Sequence, residues 1–205
     1  MTDAIAASDT SRNDLLKVAA AGIVTGLLTP LLPPLIDKLG GTPGDIRIAL
    51  VAVPFAVLVF VVVRRLSTNP GWAALIAAIV TMIAFVAAVN AAIFTDGLAD
   101  GAGKVSRNIL AGLTGGFVGA GIMALGAALL PAGPRSFMAW LPMLISGTVT
   151  GALLALDSAL DLDLTSALYP VWQACVAVGL AQALRARLPR LAGATAFSGQ
   201  APGGT

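Results

Sequence analysis

Residues 112–130 read GLTGGFVGAGIMALGAALL, nineteen residues without a charge. At the α-helical rise this run covers about 28 Å, close to the thickness of a bilayer's hydrocarbon core. Lipid offers no partner to an unpaired backbone group, so a run of this kind crosses as a helix. Its glycines form two overlapping GxxxG pairs, Gly112 with Gly116 and Gly115 with Gly119. Such small residues let neighbouring helix backbones approach one another in lipid.

The rest of the chain has the same character. Of 205 residues, 58% are apolar and 11% are charged, and the mean hydropathy is +0.93. A soluble domain carries about 25% charged residues; this chain has too few to cover a surface facing water. It reads as an all-α, polytopic integral membrane protein with membrane lipid as its surroundings. Apolar runs place six spans at 15–36, 46–63, 72–94, 109–130, 137–156 and 165–184. They form one transmembrane domain over 14–188, between disordered tails at 1–13 and 189–205. The segment TPLLPPL, with Pro30, Pro33 and Pro34, is expected to kink or unwind the end of the first span. That span is kept in the mature chain, because acidic residues precede it and no small-residue cleavage pattern follows.

Lysine and arginine favour the cytoplasmic side. An N-terminus inside puts Arg12, Lys17, Arg64, Arg65, Arg135, Arg185, Arg187 and Arg190 there, against Lys38, Arg47, Lys104 and Arg107 outside. Both termini are therefore expected in the cytoplasm, and a bacterial cytoplasmic (inner) membrane fits. The net charge of +2 is too small to imply a nucleic-acid partner.

Two further glycine pairs resemble those of the fourth span: Gly22 with Gly26, and Gly147 with Gly151. Close contacts are expected among the first, fourth and fifth spans. Partner subunits or a homo-oligomer could use the same small-residue surfaces. A possible internal repeat aligns NPGWAAL with YPVWQAC, pairing Pro70 with Pro170 and Trp72 with Trp172, while Pro54 and Pro142 fall inside the second and fifth spans. Three spans plus three would give two halves of opposite orientation, a plan common among transporters.

Chemistry is limited by what is missing. There is no histidine, every one of the ten acids is aspartate, and Cys175 is the only cysteine. Zinc chemistry and EF-hand calcium binding both lack their usual ligands. The stretch FTDGLADGAGK, residues 94–104, does not match the Asp-rich motif DxxDGxxAR of CDP-alcohol phosphotransferases: Asp96 precedes Asp100 by four positions, and no aspartate follows until Asp157. No GxGD motif of an intramembrane aspartyl protease is present. Neither enzyme chemistry nor a cofactor is expected, and 94–104 reads as a solvated turn with Ser106 or Asn108 capping the next helix.

No ionisable group lies near the centre of an expected span, which argues against a proton-coupled pump. Uncharged polar residues Asn90, Thr148, Thr150 and Gln173 fall in the outer half, beside Asp96, Asp100 and Asp157 at span ends. They outline a polar cavity with an acidic outer rim that would attract cations. The expected function is a small-solute transport or substrate-capture component. The alternative is a non-catalytic accessory subunit of a larger membrane complex, with these polar groups serving as interhelical hydrogen bonds.

Overall fold

A computed structural model of the chain describes residues 2–38, 44–162 and 166–186. The fold is all-α. In chain order the helices are α1 (Thr2–Leu28), α2 (Leu32–Lys38), α3 (Gly44–Val51), α4 (Val53–Leu66), α5 (Gly71–Leu98), α6 (Lys104–Ala128), α7 (Phe137–Gly151), α8 (Leu153–Ala159) and α9 (Leu168–Arg185). The 1–13 stretch expected to be a disordered tail is helical from Thr2 onward, whereas 189–205 lies outside the described residues.

Among the described residues, four helical stretches are long and apolar enough to cross a membrane: Arg12–Lys38, Gly71–Leu98, Lys104–Ala128 and Phe137–Ala159. This corrects the expected six spans. The second of them, 46–63, is broken at Ala52, just ahead of Pro54, into α3 and α4 of 8 and 14 residues. A 14-residue helix rises only about 21 Å, short of the hydrocarbon thickness. The sixth, 165–184, becomes α9, whose 18 residues include Gln173, Gln182 and a terminal Arg185. More than half of α9 is buried among the other helices, including Trp172, Gln173, Val176, Ala177, Leu180 and Ala181. Gln173 is tolerable there because protein, not lipid, surrounds it, whereas Gln182 is exposed and Arg185 partly so. The proline-rich end of the first span tightens into a 3-10 turn at Thr29–Leu31, where Pro30 supplies no amide proton.

Two ends of the bundle are fixed by polar contacts. At one end, Arg107 at the start of α6 pairs with Asp96 in the last turn of α5 and with Asp100 in the turn that follows. There too, Lys104 Nζ reaches Ser158 O at 3.5 Å. At the other end, Arg185 on α9 pairs with Asp14 on α1 at 2.9 Å. The loops before α5 and α7 are joined by buried Asn69, whose Oδ1 accepts from Ala132 N at 2.8 Å while its Nδ2 donates to Ser67 Oγ at 2.9 Å.

Glycine sets the closest helix contacts. On α6, Gly112 and Gly116 lie against the backbones of Gly151 and Gly147 on α7. Gly115 and Gly119 sit on other sectors of α6, against Ala88 of α5, with Gly119 also under the Trp172 ring. The first span makes a different contact from the one expected: Gly22 and Gly26 of α1 lie against Ala174 and Pro170 of α9. A Cβ added at Gly22 would come 2.6 Å from Ala174 Cα, so backbone itself would have to move.

Phe55, Met143, Leu180 and Val63, among the largest fully buried side chains, pack in the core around α9. Phe55 meets Trp172 edge to face at 5.9 Å between ring centroids. Replacing Gly116 by leucine should lower the thermal midpoint in detergent by about 4–10 °C, the scale of an overpacked contact. Leucine at Gly121, which has open space around it, should change it by about 2 °C or less. Equal shifts in a thermal scan of the two variants would contradict the contact.

Candidate functional site

A cavity of about 480 Å³ lies between α5, α6, α8 and α9. Its volume falls in the range of small-molecule sites. The cavity wall is apolar through Phe85, Val89, Ala92, Ala111 and Leu154, and Gly112, Gly115 and Gly116 expose backbone along α6. Asp96, Lys104, Arg107, Asn108 and Ser158 gather at its charged end. Small residues border the space: alanines at 88, 92 and 111 and the glycines of α6, which lie close against α5 and α7.

Arg107 organises the charged end. Its Nε lies 2.8 Å from Asp96 Oδ1, although no well-directed hydrogen bond forms from that N–H. Its Nη1 donates to Asp100 Oδ1 at 3.1 Å. Both aspartates of FTDGLADGAGK are therefore engaged by one guanidinium. Among the lining residues Lys104 and Arg107 outnumber Asp96, so the cavity mouth is not the acidic, cation-attracting rim that the sequence led us to expect. The turn itself differs in detail: Gly103, not Ser106 or Asn108, precedes the first helical residue of α6.

Asp157 does other work. Its Oδ1 accepts from Ala167 N at 2.9 Å, and its Oδ2 accepts from Leu168 N at 3.3 Å and from Ser166 Oγ. One carboxylate thus satisfies amides at the open start of α9, where helix N-terminal donors have no partner inside the helix.

The remaining expected cavity residues do not converge. Asn90 is exposed on α5, and its Nδ2 donates back to Val86 O at 2.9 Å. Thr148 and Thr150 on α7 donate to Leu144 O and Ser146 O, both at 2.7 Å. These bonds within a helix let a hydroxyl or amide sit in lipid without an external partner. Gln173 is fully buried and donates through Nε2 to Thr29 Oγ1 at 2.8 Å, while Thr29 in turn donates to Thr25 O. It ties α9 to the end of the first span, away from the cavity. Of the residues singled out as cavity or rim, only Asp96 lines the space, together with Gly112, Gly115, Gly116 and Gly151 from the glycine pairs.

Lys104, Arg107, Tyr169 and Trp172 were not singled out as site residues. The spacing of Lys104 and Arg107, three apart at a helix start, places both on one side of α6 and was the available signal. Trp172 is buried, lines the cavity, and has no hydrogen-bond partner for Nε1. A buried N–H left unpaired costs about 1–3 kcal/mol, so its place beside an unfilled space is chemically notable. The described residues contain no cluster of metal-ligating side chains.

The long apolar helices define the class: an integral membrane protein of helical bundle type. No protein-family model matches the chain, and no similar protein was found among curated proteins or solved structures.

Replacing Asp157 by alanine should destabilise the protein by about 1–3 kcal/mol, because three donors lose their acceptor. Hydrogen exchange should rise first at the start of α9. Asp100, exposed and held by a single guanidinium contact, should tolerate alanine with a change below about 1 kcal/mol. A larger effect at Asp100 than at Asp157 would reverse this assignment.

Proposed function

We propose that the protein captures or transports a small amphipathic solute in the cavity between α5, α6, α8 and α9. The observation that carries this reading is the cavity itself, apolar along its length, charged at one end and bordered by the unpaired Trp172 N–H. An apolar solute body would fill the wall of Phe85, Val89 and Leu154. A head group rich in acceptor atoms, such as a carboxylate, would meet Lys104. Arg107 is already held by Asp96 and Asp100, which leaves Lys104 as the more available cation. Excess positive charge among the lining side chains favours an anionic head over a cationic one.

Orientation follows from the two ends of the bundle. Arg64, Arg65, Arg135 and Arg185 belong to the end opposite the cavity mouth. The positive-inside tendency puts that end, with the start of α1, in the cytoplasm of a bacterial inner membrane, and the cavity mouth outside.

Both parts of the proposal can be measured in lipid. In a Cys175→Ala background, Ala92→Cys and Leu154→Cys should react with a membrane-impermeant maleimide added outside at least about tenfold faster than Asn90→Cys, which faces lipid. Equal slow labelling of all three would remove the cavity as a solute site. Hexanoate should raise the thermal midpoint more than hexylammonium does, and Lys104→Ala should erase that difference. A greater shift from the ammonium would replace the anionic-head reading with a cationic one.

A further inference from the structure

The expected repeat pairs Pro70 and Trp72 at the start of α5 with Pro170 and Trp172 at the start of α9, and the two tryptophans differ in burial. Trp72 lies exposed at the start of α5, whereas Trp172 is buried within the bundle. The same halves also correspond in their contacts. Gly22 and Gly26 of α1 lie against α9, and Gly115 and Gly119 of α6 lie against α5. Eight residues before the first glycine of each pair stands one member of an ion pair: Asp14 before Gly22, and Arg107 before Gly115. Asp14 pairs with Arg185 at the end of α9, at 2.9 Å. Arg107 pairs with Asp96 near the end of α5, at 2.8 Å.

The same arrangement thus occurs twice: the first long helix of each half packs through a glycine pair on the last helix of the other half, closed by an ion pair. The intervening helices pack within their own halves, α4 on α5 and α7 on α9. The two ion pairs lie at opposite ends of the bundle, so the copies are inverted with respect to one another.

The copies are not in the same state. At the Arg107 end, the space between α5, α6, α8 and α9 is open to about 480 Å³. Towards the Arg185 end, the space between α4, α5 and α9 is packed with Val62, Val63, Ala73, Leu180, Ala181 and Leu184, all at most 3% exposed. The void beside Val63, Thr81 and Leu180 is only about 10 Å³, no more than a single water requires.

We propose that residues 12–98 and 104–185 form an inverted pair and that the protein moves its solute across the bilayer by exchanging these two packings, so that the cavity closes at the Arg107 end and opens at the Arg185 end. This rests on the capture reading and chooses transport within it. Two inverted copies of similar packing have two arrangements related by the pseudo-two-fold axis. Each copy can adopt the conformation of the other without new kinds of contact, which is the physical basis of alternating access. A solute held between α5 and α9, the helices exchanged between halves, stays near that axis in both arrangements.

The test uses the full chain in liposomes, with Cys175→Ala. Ile93→Cys on α5 and Ser158→Cys on α8 line the open cavity; oxidation should join them and hold that end closed. Val63→Cys, buried here, should then react with a water-soluble maleimide at least tenfold faster than in the reduced protein, and Leu184→Cys, as a second reporter, should behave alike. If the disulfide fails to form, or forms while both reporters keep their slow rates, the exchange is overturned. Labelling of Ala92→Cys from the aqueous phase separates the outcomes. Labelled Ala92→Cys with unchanged reporters overturns the exchange alone, and unlabelled Ala92→Cys overturns the capture reading with it.

Discussion

The architecture depends on backbone meeting backbone at glycine. In lipid there is no hydrophobic gain from bringing two apolar helices together, because lipid tails are as apolar as leucine. What holds helices is close van der Waals contact, and its strength grows with the area that backbones can share. Gly112 and Gly116 provide that for α6 on α7, and Gly22 and Gly26 for α1 on α9. At both contacts a single added Cβ would displace main chain. These pairings set how far apart the helices stand elsewhere, and hence where a space is left: α6 is held to α7 on one side and to α5 on another, and the cavity lies along the same glycine-lined length.

Polar groups obey a second constraint, that each must find its partner nearby. Thr81, Thr148, Thr150 and Asn90 bond to carbonyls one turn back on their own helices. Gln173 and Thr29 pair with each other across α9 and the end of the first span. Asp157 is consumed by the start of α9. Against this background of local satisfaction the exceptions carry information. Trp172 Nε1 and Gln173 Oε1 are buried without partners, on neighbouring residues of one central helix. The first borders the cavity, and the second lies where the 3-10 turn at Thr29–Leu31 interrupts the first span.

The fold class was legible in composition because the shortage of charge is an average over the whole chain and survives errors at any one position. The long runs at 15–36, 72–94, 109–130 and 137–156 were equally plain. The other two failed for physical reasons that a hydropathy run does not encode. Pro54 breaks 46–63, and a break leaves the run's apolar content unchanged. In 165–184 apolar residues face protein rather than lipid, and a single sequence does not distinguish those environments when alanine and valine serve both.

Site residues were harder still, because depth along a helix is readable whereas its azimuth is not. Asn90 and Asp96 both lie in the last three turns of α5, yet Asp96 lines the cavity and Asn90 is exposed. Arg107 and Lys104 look like loop solvation until α5 is seen to bring Asp96 beside them. The proline and tryptophan alignment matched residue types at the starts of α5 and α9, while the proposed correspondence of the halves rests on contacts. Glycine at 22 and 26 matches glycine at 115 and 119 because close approach demands the residue. The ion pairs match with their signs exchanged, aspartate on α1 where arginine stands on α6. A pairwise interaction is preserved when both partners swap, so the correspondence is invisible residue by residue and visible only as a pair.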